Sequence, residues 1–145
     1  MTQDPVDRDD EAKARRTRVL DEKRNVTSRI SDTARYIGFG LLAVYYTSMS
    51  GDSAFAVSLR AGLSKYLLHA MGFAGAAAIL FDYLQYLFGA RSVEEALADP
   101  GSEYNPRSCA YKAREMFFTL KQWAVGVGAI LLIVLVFSAA VGRSN

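Results

Sequence analysis

Residues Gly62 to Gly89 read GLSKYLLHAMGFAGAAAILFDYLQYLFG, and this stretch decides the fold. It is apolar for more than twenty residues, yet it carries His69, Asp82 and Gln85. Its centre, Gly72-Phe-Ala-Gly-Ala-Ala-Ala78, is almost entirely small. About 20 helical residues cross the hydrocarbon layer of a bilayer, so the stretch predicts a transmembrane helix with a tight packing surface.

Working outward, two further apolar runs flank it. Residues 36 to 51 contain no Lys, Arg, Asp or Glu, and neither do residues 122 to 142. Residues 1 to 35, by contrast, hold 17 of the chain's 32 charged side chains. A water-soluble domain distributes charge around every element, so this segregation points to a membrane protein. The expected class is an all-α integral membrane protein with three transmembrane helices, over about 34–50, 62–89 and 116–141. A charged cytoplasmic N-terminal helix over 10–33 precedes them, residues 1–9 are expected to be disordered, and a polar cytoplasmic connection covers 90–115.

Each boundary has a local reason. Helix formers dominate Asp10 to Thr33, and Val19, Val26, Ile30 and Ile37 make a stripe too thin for a buried helix. The sixteen uncharged residues from Tyr36 to Gly51 give only about 24 Å of helix at 1.5 Å per residue. That first span is short for a layer of about 30 Å, so an extension toward SMSGDSAFAVSL is open. Gly51-Asp52-Ser53 is a turn signal. Ala54-Phe55-Ala56 resembles a signal-peptidase site, but a 35-residue charged leader exceeds an ordinary signal peptide, and retention is expected. Asp99-Pro100-Gly101 marks another turn, and Asn105-Pro106 fits the start of the last helix. Trp123 to Val141 supplies nineteen uncharged residues, the clearest span of the three.

Lys and Arg count nine through Arg35 and five from Ala90 through Lys121. The opposite side carries Arg60, Lys65 and Arg143. Because basic residues stay cytoplasmic, the expected topology is N-terminus inside and C-terminus outside. Compactness and the lack of a secretory leader suggest a bacterial inner membrane. Tyr36, Tyr83, Tyr86 and Trp123 then fall at the inner interface, and Tyr45, Tyr46 and Tyr66 at the outer one.

The net charge of +2, with both signs mixed at the N-terminus, argues against nucleic acid as a ligand. No phosphate loop, zinc-spaced His pair or nucleophile elbow is present. The lone His69 and lone Cys109 fall at opposite faces of the membrane and cannot form a nucleophile–base pair. No enzyme, cofactor or metal is expected.

Asp82 lies about 10 Å from the end of its span, where an unpaired carboxylate is costly. At 100° per residue Ala74, Ala78, Asp82 and Gln85 share one face. Lys121 and Arg35 close the inner ends of the adjacent spans, so an Asp82–Lys121 or Asp82–Arg35 ion pair is expected. It serves either to hold the bundle together or to line an ion pathway. Ala34/Gly38 and Ala124/Gly128 repeat the small-xxx-small spacing for helix packing. His69 is a candidate pH-sensitive group or an interfacial His bonded to Thr47, Ser48 or a headgroup. Two functions remain open. One is a self-assembling or accessory subunit of a membrane complex, with the bilayer and either other copies or larger proteins as partners. The other is a homo-oligomeric, holin-like or effector-type pore.

Overall fold

The computed structural model describes residues 5–98 and 107–141, and every element among them is helical: α1 (Pro5–Ser50), α2 (Ala54–Leu59), α3 (Gly62–Ala98) and α4 (Cys109–Val141). The chain divides into two compact units, Met1–Thr33 and Ala34–Asn145. In the first, helix begins at Pro5 where disorder was expected. Proline suits the first helical turn because its missing N–H would have no partner there. Residues 1–4 of that expected disorder lie outside the described residues.

In the second unit α3 and α4 are long and apolar enough to cross a membrane. The run expected to be the first span lies in the C-terminal part of α1 and does not meet that test, in keeping with its short uncharged core. At 1.5 Å per residue α3 is about 55 Å long and α4 about 50 Å, well beyond a layer of about 30 Å. The polar connection is correspondingly shorter than the sequence suggested. The run ARSVEEALA continues α3 past Gly89 because it is made of helix formers with no Pro, and Ser92 donates to the Gly89 carbonyl oxygen at 2.8 Å. Ser92, Ala96 and Ala110 are buried, so α3 and α4 stay packed along this extension. Asn105 and Pro106, expected to start the last helix, lie outside the described residues. α4 begins at Cys109 instead, where the Ser108 hydroxyl accepts from Tyr111 N–H at 3.1 Å as an N-cap does.

The turn between α1 and α3 is closed by specific polar contacts. Ser53 caps α2 by accepting from Ala56 N–H at 3.2 Å. The Arg60 guanidinium donates to the carbonyl oxygens of Met49 at 2.6 Å and Gly51 at 2.7 Å. It thereby satisfies groups at the C-terminal end of α1 that lack intrahelical partners. Arg60→Gln is expected to cost about 1–2 kcal/mol of stability. Thermal unfolding in detergent with amide exchange over residues 47–51 reads this, and unchanged protection there would remove the capping role.

Two clusters make the core. Leu41, Leu59, Leu68, Met71 and Leu135 draw all four helices together near the Arg60 turn, with Tyr45 packed against them. Ala34, Ala78 and Val125 form the second, with Ala124 beside it. Between these clusters the helices approach closely. A methyl group added at Gly75 would stand 3.0 Å from the Gly38 carbonyl oxygen and 3.0 Å from Leu41 Cβ. One added at Gly72 would meet the Tyr45 ring at 2.7 Å, and one at Gly128 would overlap Leu41 Cδ1.

Candidate functional site

The polar centre of the second unit lies beside the small-residue cluster, where α1, α3 and α4 each contribute to it. From α3, Asp82 presents its carboxylate inward, and the residue is 5% exposed. From α4, Lys121 is fully buried; its Nζ donates to Asp82 Oδ1 at 2.7 Å and to Gln85 Oε1 at 2.5 Å. From α1, Arg35 Nε donates to Asp82 Oδ2 at 2.9 Å, and its Nη2 donates to the Tyr86 hydroxyl at 3.2 Å. Its guanidinium carbon also sits 5.5 Å from the Tyr86 ring centroid, and Lys121 Nζ sits 5.4 Å from that of Phe118.

Asp82 therefore receives both cations at once, one on each carboxylate oxygen, where the sequence posed them as alternatives. Helix geometry explains how. Asp82, Gln85 and Tyr86 fall at i, i+3 and i+4, so they project from one face of α3. Ala78 one turn away is small enough for α1 and α4 to close over that face. Two charged donors on one carboxylate offset much of its desolvation, which a single pair in a nonpolar interior repays only with good geometry. Among the described residues no buried side-chain nitrogen or oxygen lacks a hydrogen-bond partner. The arrangement can neutralise charge and fix the register of three helices.

The remaining candidates are placed as follows. Gly38, Ala74, Ala78 and Gly128 are buried, and Ala124 and Gln85 are half-buried. A methyl added at Gly128 would come 3.3 Å from Ala74 Cβ, and one added at Gly38 3.5 Å from Ala78 Cβ, so these pairs meet across helix seams. His69 is exposed and separate from the charge cluster. Its Nδ1 lies 2.7 Å from the Lys65 carbonyl oxygen in its own helix, and its ring is edge-on to Tyr45 at 5.7 Å. Thr47, one of the three partners offered for His69, turns back to the Ala43 and Val44 carbonyl oxygens. Cys109 is exposed at the start of α4. No group of three or more potential metal ligands occurs among the described residues.

Phe118 and Leu41 were not singled out in the sequence, Tyr86 was read only as an interface aromatic, and Gly75 only as part of the small-residue run. Tyr86 was legible, being four residues beyond Asp82 on the same face. Leu41 was not, since one leucine in an apolar run looks like any other until the glycines facing it are known.

No protein-family model matches the chain, and neither the curated proteins nor the solved structures include a significant match.

Proposed function

We propose that this is a non-enzymatic membrane protein of three spans, the first in the C-terminal part of α1, which works by helix association. It acts as a self-assembling or accessory subunit of a membrane complex, with its charged N-terminal helix cytoplasmic and its C-terminus outside. The membrane proposed is the bacterial inner one.

The single observation carrying this reading is an inversion of burial. Only five residues of α4 are buried, and the largest of them is Lys121. Ile130, Ile133, Val136 and Phe137 of the same helix are each more than half exposed. Water would invert that order; a hydrocarbon solvent favours it, because charged groups are then the ones that must turn inward and pair. The same observation weighs against the pore reading. A pore needs polar groups facing a water path, whereas here the polar groups inside the helices bond one another.

The test is the oligomeric state of the protein in nanodiscs, combined with single-channel recording on the same sample. We expect defined assemblies, with itself or with co-purifying membrane proteins, that do not conduct. Reproducible unitary currents from purified protein would replace the subunit reading with the pore, and a monomer without partners would leave neither.

A further inference from the structure

The seam between α3 and α4 carries an apolar groove of about 620 Å³ on its outer side. Its floor is Ala70, Ala74, Ala77 and Ala124, with Phe73 and Trp123 among its walls. At one end it reaches Phe81, which begins an aromatic ladder along the same seam. Phe81 packs on Phe117 at 6.0 Å, and Phe117 stacks on Phe88 at 5.5 Å. The ladder ends in two cations. The Arg91 guanidinium carbon lies 5.9 Å from the Phe88 ring centroid, and Arg114 lies across Gly89, its Cδ 3.8 Å from a methyl group built there. Neither arginine forms a salt bridge among the described residues, unlike Arg35 and Lys121.

We propose that this seam binds one anionic phospholipid, its phosphate held by Arg91 and Arg114 and an acyl chain lying over the phenylalanines into the groove. Charge and length both select that occupant. Two arginines beyond the end of an apolar trough complement an anionic headgroup joined to a chain. From Phe88 to Ala70 the helix rises about 27 Å, close to the reach of a phosphate with a long acyl chain. An uncharged run of a second copy, 36–51 or 122–142, would fill the trough but bring no counter-charge to the two arginines. The proposal rests on the membrane reading above, and its test separates the two.

Trp123, the only tryptophan of the chain, stands on the groove wall and reports its occupant. The protein is placed in nanodiscs of phosphatidylcholine or phosphatidylglycerol brominated midway along one chain, and tryptophan quenching is titrated in mixtures of the two. A W123F/I133W variant moves the reporter to an exposed face of α4 and supplies the reference. We expect Trp123 to be quenched by the anionic lipid with roughly ten-fold preference. The reference variant should be quenched by both lipids without preference, and R91Q/R114Q should abolish the preference at Trp123. Equal quenching of Trp123 by both lipids overturns the site. Quenching of the reference variant but not of Trp123 overturns it in favour of a protein neighbour on the groove. Absence of quenching in both proteins overturns the membrane reading itself.

Discussion

Asp82→Ala is expected to destabilise the assembled bundle by about 3–5 kcal/mol, the largest effect of any single substitution here, because it leaves buried charge without its counter-ion. Lys121 is fully buried and would keep the Gln85 oxygen while losing the carboxylate, and Arg35 would lose the same carboxylate. Asp82→Asn keeps the shape and one acceptor oxygen, so it should fall between the alanine variant and the native protein. Denaturant unfolding in detergent checks both. The partner substitutions sharpen the reading. Lys121→Met removes the buried cation and still leaves Asp82 its bond from Arg35, so it should cost less than Asp82→Ala. Lys121→Met combined with Asp82→Leu should recover part of the loss, since a buried ion pair replaced by apolar groups of similar size is often nearly neutral. If the double variant is no more stable than Asp82→Ala, the pair is not what makes that position sensitive. Conductance recorded on the surviving Asp82→Asn protein separates a holding role from an ion path.

Gly75→Leu is expected to open the crossing of α1 over α3 and to cost at least about 1–3 kcal/mol, the range for overfilling a packed interior. The neighbours there are the Gly38 backbone and Leu41 Cβ, which cannot swing away as the tip of a long side chain can. Gly128→Leu should behave alike, since its position is already filled by Leu41 and Ala74. Gly40 and Gly126 supply the contrast. Nothing lies within 4 Å of a methyl group at either, so Gly126→Ala should leave stability unchanged or raise it by up to about 1 kcal/mol through helix propensity. The same unfolding measurement decides. Equal losses at Gly75, Gly128 and Gly126 would mean that glycine serves α3 and α4 by flexibility and not by close approach.

The two apolar helices and the small-residue surface were legible because each is a local property of sequence. Uncharged length marks α4, and Ala74 and Ala78 recur at the helical period on α3. The partners of Asp82 were legible as a short list, since few cations sit at comparable depth. That both would bond at once depends on the crossing angles of three helices, which no single stretch encodes. The extension of α3 to Ala98 was hidden by polarity. Glu94 and Glu95 read as connection, although glutamate is as good a helix former as it is a solvated loop residue. Arg60 was counted only as a charge outside the membrane. Its capping of Met49 and Gly51 needs the tight turn at Gly51 to bring an arginine back onto a helix eleven residues earlier.

The double pairing of Asp82 also bears on biogenesis. Arg35 precedes Asp82 in the chain, whereas Lys121 follows it by 39 residues. If the proposed three-span topology holds, a nascent chain that has inserted α1 and α3 already holds a counter-ion for the carboxylate, and it need not wait in the hydrocarbon with a bare charge while α4 is made. Arrival of Lys121 then completes the site instead of rescuing it. In an Arg35→Gln chain that early partner is lost, so the defect should appear as poor insertion and rapid degradation of newly made protein more than as weakness of the protein that matures. Pulse-chase labelling compared with the unfolding stability of the purified variant distinguishes these two fates.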